Sequence, residues 1–352
     1  MTAQSILEVK NGDPLETVRE FLKTLLAHGG VDALLVPLAS PSAGQITPTL
    51  VRDPQRLNDA NPLAPVMRVN AATVIAHLQR QGNRDRLGAV LRPCELRAVI
   101  EMAKLGSIDL NRLTLIGIDC MGTYAPETYA QIARASNAAM HWTHQGPIAP
   151  FSLRNACNIC EYFTPENFAL AIGLIGLNVR ERLLIQARED WAEYLRLESA
   201  EVEGRAKAIA RLASVRRYHR EESFTRAAQQ IDSVPSFVGL IAACNTCGEC
   251  LAVCPFCNTD ALTPTLAKSA RAHRNEGRHI SARKREAHIW TQLVEWGRRA
   301  VSCVGCGICE SVCPAHLPLT AIYGVAGHKM QESFHYVPGC NLDQKLPWAV
   351  AG

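Results

Sequence analysis

The 352-residue sequence predicts an α/β amino-terminal domain with a mostly parallel sheet, a helical linker and a separate cysteine-rich domain. Apolar strands alternate with amphipathic helices in the amino-terminal part, which is the pattern of a parallel α/β layer. Residues 186–230 are rich in Ala, Glu, Arg and Leu, and from Pro235 onward the composition shifts to Cys, Gly and Pro. The predicted domains are therefore residues 1–185, 186–234 and 235–352.

The elements of the amino-terminal domain are predicted from caps, periodicity and apolar runs. Asp13 caps a helix over residues 13–28, and Gly29 and Gly30 end it. The stretch from Pro41 to Pro65 holds five prolines and is predicted to be a long loop over a site. Further strands and helices alternate along the chain. The strands are predicted at 31–38, 88–91 and 113–118, and the helices at 71–81 and 95–105.

Composition and charge favour some classes of protein function over others. Hydrophobic residues make up 47% and charged residues 20%, as in a folded globular protein. The first residues show no export signal, and no run of apolar residues is long enough to span a membrane, so we expect a soluble, cytoplasmic protein. The cytosol keeps thiols reduced, which favours metal binding by the fourteen cysteines. A net charge of +4 and 6% aromatic residues do not favour nucleic-acid binding.

Two cysteine runs share the form C-x-x-C-x-x-C-x-x-x-C-P. The first contains Cys244, Cys247, Cys250 and Cys254, followed by Pro255, and the second contains Cys303, Cys306, Cys309 and Cys313, followed by Pro314. In bacterial ferredoxins with two [4Fe-4S] clusters, the fourth cysteine of each run binds the other cluster. The sequence therefore predicts a ferredoxin-like domain with crossed ligand sets. One set is Cys244, Cys247, Cys250 and Cys313, and the other is Cys303, Cys306, Cys309 and Cys254.

Zinc is the alternative for these runs, because C-x-x-C pairs also bind zinc tetrahedrally. Zinc does not explain two copies of a four-cysteine run with proline after the last cysteine, so clusters are favoured. Gly248, Gly305 and Gly307 leave room for backbone amides to approach the sulfurs. The segment 258–302 is basic, and we interpret it as a solvated helical face in preference to a docking surface. Its charges are Lys268, Arg271, Arg274, Arg278, Arg283, Lys284 and Arg285.

A further set of cysteines lies in the amino-terminal part. Cys94 and Cys120 each follow a predicted parallel strand, at the edge where open α/β sheets place their sites. Cys157 and Cys160 form a C-x-x-C pair that could complete four ligands for a third [4Fe-4S] cluster. Buried free cysteines are common and one such pair is not specific, so the spacing leaves this open.

Three successive blocks resemble the cysteine motifs of the coenzyme F420 hydrogenase/dehydrogenase beta-subunit family. They are Leu91-Arg-Pro-Cys94-Glu-Leu-Arg-Ala, Ile116-Gly-Ile-Asp-Cys120-Met-Gly and Ala156-Cys157-Asn-Ile-Cys160-Glu-Tyr-Phe. The family includes flavoprotein subunits of F420-reducing hydrogenase and F420-dependent formate dehydrogenase, and the resemblance covers residues 15–185. It implies an FAD-containing α/β domain that exchanges hydride with a deazaflavin, with one [4Fe-4S] cluster beside the flavin. By this resemblance the cluster ligands are Cys94, Cys120, Cys157 and Cys160.

The carboxyl-terminal part resembles the ferredoxin region of formate dehydrogenase beta subunits, including Cys254-Pro-Phe-Cys257. Cys257 and Cys340 are otherwise interpreted as buried or spare thiols.

Five residues are candidates for cofactor binding, each with a structural alternative. Gly29 and Gly30 could approach a phosphate or a ring, or form the carboxyl-terminal cap of the helix. Asn61 and Arg68 lie where family members hold the cofactor, or are loop and surface groups. Arg92 could balance cluster or flavin charge, or form a surface salt bridge.

The sequence thus predicts an iron-sulfur flavoprotein subunit of an oxidoreductase complex. It would pass electrons between FAD, which exchanges hydride with F420 or a similar carrier, and a chain of [4Fe-4S] clusters. The expected partner subunit is a formate dehydrogenase, a hydrogenase or a heterodisulfide-reductase-like protein. A flavin-free electron-relay subunit is the alternative. No G-x-G-x-x-G fingerprint for a nicotinamide follows a strand.

Overall fold

The computed structural model describes residues 2–40, 45–135, 147–200, 202–245, 247–257 and 300–347. The basic residues singled out between the two cysteine runs lie outside the described residues, so their role stays a prediction.

The described residues form a seven-stranded mixed sheet. Its strands are β1 (Thr2–Glu8), β2 (Ala33–Ala39), β3 (Ile46–Val51), β4 (Leu87–Leu91), β5 (Leu113–Ile118), β6 (Leu170–Gly173) and β7 (Arg182–Arg188). Their order is β1-β7-β6-β5-β4-β2-β3. The four consecutive strands β6, β5, β4 and β2 run parallel, whereas β1, β7 and β3 are antiparallel to their neighbours. The predicted α/β domain with a mostly parallel sheet is confirmed.

Helices connect the strands and make up most of the described carboxyl-terminal part. They are α1 (Pro14–Ala27), α2 (Ala71–Arg80), α3 (Pro93–Lys104), α4 (Pro126–Ala135), α5 (Asn155–Asn158), α6 (Glu189–Leu195), α7 (Arg205–Gln230), α8 (Val234–Ala242), α9 (Glu249–Val253), α10 (Ile308–Ser311) and α11 (Leu319–Ser333). No described helix combines the length and apolar character needed to cross a membrane.

The predicted cap of α1 is present. The Asp13 carboxylate accepts hydrogen bonds from the backbone N–H groups of Leu15 and Glu16, at 2.9 and 3.1 Å. Gly29 follows the helix with a φ of +71°, which a residue without a Cβ adopts at little cost. Local capping chemistry therefore sets both ends of α1.

The predicted long loop between Pro41 and Pro65 is wrong in part. Residues Ile46–Val51 form β3, which pairs antiparallel with β2, and Pro54–Asp59 form a 3-10 helix. β3 is an edge strand, where a proline removes no hydrogen bond to a further strand. The β-branched and apolar residues of this segment outweigh the proline content.

The helices predicted from residue 186 onward begin at Glu189. Residues 186–188 belong to β7, whose Leu183, Leu184 and Ile185 are buried in the sheet. β7 pairs with β1 at the amino terminus, and the sequence gives no local sign of that long-range pairing. The helices predicted for the rest of the linker are present as α6 and α7.

The cysteine-rich part packs directly on the α/β domain. Val301, Val304 and Tyr336 share one hydrophobic core with residues of α2 and α3. The Arg97 guanidinium of α3 is buried and donates hydrogen bonds to the carbonyl oxygens of Val304 and Pro338, at 3.2 and 2.9 Å. This packing fixes the second cysteine run against the sheet. The exact domain boundaries stay a prediction.

Candidate metal centres

The carboxyl edge of the parallel strands carries the first two cysteines of the amino-terminal set. Cys94 lies in the first turn of α3, directly after β4, and Cys120 follows Asp119 at the end of β5. Since β4 and β5 are parallel neighbours, both cysteines lie at the same edge of the sheet.

The C-x-x-C pair reaches the same place from a short helix. Cys157 lies in α5 and Cys160 just after it, and both line one cavity together with Cys94 and Cys120. The structure thus brings together the four cysteines that the resemblance implied as ligands. Cys306, from the second run, lies on the wall of the same cavity.

Hydrogen-bond donors surround Cys157 within this site. The backbone N–H of Thr123 donates to its Sγ at 3.3 Å, and the Arg154 guanidinium lies 3.6 Å from the same atom. Burial raises the pKa of Cys157, but the charge of Arg154 and the Thr123 hydrogen bonds outweigh it and lower the pKa overall. These groups stabilise negative charge on the sulfur.

The other thiols respond mainly to burial. Burial raises the pKa of Cys120 to about 12 and raises the pKa of Cys94 well above its usual range. Several bare thiolates would therefore be unfavourable here unless cationic iron neutralised them. No three His, Cys, Asp or Glu side chains of the described ranges converge closely enough to hold a single metal ion. Four thiols around a common cavity are the donor set of a [4Fe-4S] cluster.

The second run forms a similar group. Burial raises the pKa of Cys309 well above its usual range, and the sulfurs of Cys306, Cys254 and Cys303 add to the increase. Cys254 and Cys250 of the first run therefore both lie close to Cys309 of the second run, and the crossed ligand sets stay a prediction. The short helices α9 and α10 pack on each other and hold the two runs together.

Backbone amides point at these sulfurs. The N–H of Gly305 donates to Cys303, and the N–H of Ile308 donates to Cys306. Gly305 and Gly307 adopt positive φ, which allows the chain to turn its amides inward. Such N–H to sulfur bonds favour the more negative, reduced form of a cluster.

Of the remaining set of predicted ligands, Cys250 lies close enough to Cys309 to affect its pKa. Cys244, Cys247 and Cys313 are half-buried, with Cys313 placed just after α10.

The two groups of cysteines touch through their loops. A Cβ added at Gly307 would overlap the Cβ of Ala156, so the Cys157 loop lies directly on the second run. The Arg154 guanidinium donates to Ser311 Oγ at 3.2 Å, and the Asn155 amide donates to Glu310 Oε1 at 2.7 Å. The loop that carries Cys157 and the second cysteine run are therefore in direct contact.

The predicted cofactor glycines lie elsewhere. The N–H of Gly30 donates to the Leu25 carbonyl oxygen at 3.1 Å, which caps α1, and Gly30 packs against the Trp191 ring. Both Gly29 and Gly30 precede β2, so they lie at the opposite edge of the parallel strands from Cys94. The cap accounts for their conformation, and a flavin role stays a prediction.

The other cofactor candidates differ in environment. Arg92 is buried and donates to the carbonyl oxygens of Ala64 and Val66, at 2.7 and 2.9 Å, and it pairs with Glu95. It is therefore not the surface salt bridge considered as its alternative. Arg68 is exposed. The Asn61 side-chain oxygen is buried and accepts no hydrogen bond from any described residue.

Four buried arginines were not predicted from the sequence, namely Arg97, Arg154, Arg205 and Arg216. Arg154 precedes the C-x-x-C pair by three residues, and this proximity could have suggested it. Arg205 and Arg216 belong to α7, where nothing in the local sequence separates them from its exposed arginines.

Residues 241–317 match the model of the 4Fe-4S dicluster domain. This range contains both complete cysteine runs. The carboxyl-terminal part is a 4Fe-4S dicluster domain.

Curated relatives extend the similarity beyond the dicluster domain. The F420-dependent formate dehydrogenase subunit beta of Methanocaldococcus jannaschii is 23% identical over 304 residues, which cover 74% of this chain and 75% of that protein. The F420-dependent formate dehydrogenase 1 subunit beta of Methanococcus maripaludis is 26% identical over 36% of this chain and 32% of its own length. This chain is similar to F420-dependent formate dehydrogenase beta subunits. The resemblance predicted from the cysteine motifs is confirmed.

Among solved structures, a chain of the F420-reducing [NiFe] hydrogenase complex from Methanosarcina barkeri, determined after xenon derivatization, aligns with a TM-score of 0.46 and 11% identity. The alignment covers 66% of this chain and 94% of that chain.

Proposed function

We propose that this chain is an iron-sulfur flavoprotein subunit of an F420-dependent oxidoreductase complex. It passes electrons between FAD and three [4Fe-4S] clusters that lead to a partner subunit. The main observation in support of this proposal is a single cavity whose wall includes Cys306 of the dicluster domain. The same cavity is lined by Cys94, Cys120, Cys157 and Cys160. The names of the relatives support the assignment to an F420-dependent complex.

Three ligand sets follow from this proposal. The amino-terminal cluster is held by Cys94, Cys120, Cys157 and Cys160. The second cluster is held by Cys303, Cys306, Cys309 and Cys254, and the third by Cys244, Cys247, Cys250 and Cys313. Each cluster, when bound, supplies one-electron transfer.

The chain's own residues prepare the amino-terminal site. Thr123 and Arg154 direct N–H groups at Cys157, and the Gly122 amide donates to Cys120. These donors hold the sulfurs in place and offset their negative charge before and after reduction. All four cysteines are half-buried, which limits the access of water to the site.

FAD, when bound, supplies hydride exchange with a deazaflavin and single-electron exchange with the clusters. Asn61 offers a buried oxygen that accepts no hydrogen bond, which a donor on the cofactor could use. Arg92 holds the Ala64 to Val66 segment at the cysteine edge of the sheet, and Arg68 offers an exposed charge nearby in the sequence.

A flavin-free electron relay is the second candidate function. It is favoured by the position of Gly29 and Gly30 at the far edge of the sheet. The partner under either function is a formate dehydrogenase, a hydrogenase or a heterodisulfide-reductase-like protein. The cytoplasm is the proposed compartment because fourteen cysteines require reducing conditions to stay available for clusters.

Anaerobic purification followed by quantification of iron, zinc and flavin tests the proposal. We expect about twelve irons per chain, one flavin and no stoichiometric zinc. Cys120→Ser should remove about a third of the iron, because only the amino-terminal cluster depends on it. Cys340→Ser serves as the matched control and should keep all the iron.

The iron and flavin contents distinguish the possible outcomes. About eight irons in the unmodified chain, with no loss in Cys120→Ser, would reject the amino-terminal cluster. About twelve irons per chain without bound flavin would support the flavin-free electron-relay function instead.

A further inference from the structure

Arg216 is a buried guanidinium on the otherwise largely exposed helix α7. Its exposed fraction is 7%, and its Nη2 donates to the carbonyl oxygen of Met121 at 2.7 Å. Within the described ranges no carboxylate forms an ion pair with it. A buried positive charge without an acid partner is costly unless another negative group compensates it.

The Arg216 guanidinium lies close enough to the amino-terminal cysteines for its charge to oppose the rise in pKa that burial causes at Cys157 and Cys160. Its side chain lines the same cavity as Cys94, Cys120, Cys157 and Cys160. Its Nη1 is fully buried and has no hydrogen-bond partner among the residues that the structure describes. Nη2 donates to the Met121 carbonyl oxygen, so the N–H groups of Nη1 are the donors that no described residue occupies.

An ion pair at the start of α7 fixes this position. The Arg205 guanidinium forms two hydrogen bonds with the Asp119 carboxylate, at 2.6 and 3.0 Å. Asp119 directly precedes Cys120, so α7 begins at the cysteine edge of the sheet. Arg216 follows about three helical turns later. A Cβ added at Gly122 would lie 3.5 Å from Arg216 Nη2, which shows how closely the helix approaches the Cys120 loop.

We propose that Arg216 donates a hydrogen bond from Nη1 to sulfur of the amino-terminal cluster, and that its charge stabilises the reduced form of that cluster. The inference rests on the cluster assigned in the proposed function. Reduction adds one electron to the cluster, and no proton moves because the guanidinium stays protonated throughout. Helix α7 then holds Arg216 beside the amino-terminal cluster in addition to connecting the two domains.

The test is a redox titration of the full chain, purified anaerobically, with dithionite as reductant and EPR as readout. The signal that disappears in Cys120→Ser identifies the amino-terminal cluster. Arg216→Gln should lower the equilibrium constant for reducing that cluster at least about tenfold, which is about 59 mV for a one-electron couple. Its iron content should stay unchanged.

Two further variants separate local charge from other effects. Arg211→Gln removes the same charge from an exposed position of α7 and should leave the potential unchanged. Arg216→Lys keeps the charge and should recover at least half of the shift. If Arg216→Gln does not retain its iron, the same titration of Arg216→Met and Arg216→Lys decides, with a lower potential expected in Arg216→Met.

An unchanged potential in the neutral variants, or an equal shift in Arg211→Gln, would overturn the role of Arg216 while leaving the cluster in place. Absence of the cluster from the unmodified chain is a different result, and it would reject the proposed function itself.

Discussion

The Asn70 side chain caps helix α2 with its oxygen and lies beside Cys306 with its nitrogen. Its Oδ1 accepts a hydrogen bond from the backbone N–H of Ala72 at 3.0 Å and thereby caps α2. Its Nδ2 is buried, makes no other hydrogen bond within the described chain and faces the sulfur of Cys306, whose pKa it lowers in part. A single amide thus links helix capping to the second ligand set.

We expect Asn70→Asp to retain the cap and remove the N–H donor. A carboxylate beside Cys306 also disfavours added negative charge, so the equilibrium constant for reducing the second cluster should fall at least about tenfold, or about 59 mV. An EPR-monitored redox titration measures this change. Asn178→Asp is the control, because Asn178 Oδ1 also accepts a local backbone N–H but is exposed and remote from the cysteines. Equal potentials in both variants would contradict the prediction.

Glu101 holds the carboxyl-terminal segment on α3. Its fully buried carboxylate accepts hydrogen bonds from Ser302 Oγ at 2.6 Å, Tyr336 Oη at 2.6 Å and the Gly339 N–H at 3.1 Å. The buried ammonium of Lys104 lies 3.1 Å from the same group. All of its partners are donors, so a neutral amide cannot replace it.

Glu101→Gln should therefore destabilise the fold strongly. It leaves the Lys104 charge unpaired and turns an N–H group toward existing donors, which we expect to cost about 3 kcal/mol. Denaturant unfolding followed by circular dichroism measures the loss. Glu20→Gln, which breaks an exposed pair with Lys23, should leave the midpoint unchanged. A loss of similar size in both variants would show that the buried network contributes little.

At the scale of elements, the contact between α5 and α10 depends on a glycine. Gly307 directly precedes α10 and has a φ of +67°. A Cβ added there would overlap Ala156, which is next to Cys157. Gly248 occupies the equivalent place before α9 with a φ of +76°, but no atom lies within 4 Å of its added Cβ. Both glycines adopt a left-handed backbone conformation, which would strain any other residue, but only Gly307 is closely surrounded by other atoms.

Gly307→Ala should lower the unfolding midpoint and the iron content more than Gly248→Ala. Both variants carry the cost of a left-handed backbone, about 1 kcal/mol, but only Gly307→Ala pushes the Cys157 loop away from its site. Adding Ala156→Gly should restore most of the iron to Gly307→Ala. If Gly248→Ala loses as much iron, backbone strain alone explains the effect and the contact does not matter.

The elements also show what local sequence signals can and cannot predict. The cap at Asp13 and the apolar run of β5 depend on neighbouring residues, and their elements were predicted almost to the residue. β3 was missed because five prolines in the stretch masked its strand character, and its place at the sheet edge is a tertiary property. β1 and β7 pair across nearly the whole α/β domain, which no local pattern encodes.

At the scale of the whole molecule, the same distinction applies to the site. The two cysteine runs could be singled out as candidate ligands by their fixed spacing, whereas the amino-terminal set depended on the family resemblance and on the position of Cys94 and Cys120 after parallel strands. Asn70 and Arg216 could not, because each reaches its cysteines only through tertiary packing and carries no motif of its own. Their signals are visible only in the fold, as buried side-chain nitrogens beside cysteines.

The arrangement of the sites also predicts an order of electron transfer. Cys306 lines the amino-terminal cavity, and Cys250 lies close enough to Cys309 to contribute to the rise of its pKa. The proposed second ligand set therefore has a close neighbour in each of the other two proposed sets. Electrons entering at the amino-terminal cluster should reach the third cluster only through the second.

Cys303→Ser tests this order because it perturbs only the middle set. After rapid mixing with reduced F420, the amino-terminal cluster should be reduced at the normal rate, while reduction of the third cluster should slow at least about tenfold, since electron transfer depends on closely spaced clusters. Freeze-quench EPR follows both signals, and Cys340→Ser provides the unaffected control. Equally fast reduction of the third cluster in Cys303→Ser would mean that electrons bypass the second set and that the serial order is wrong.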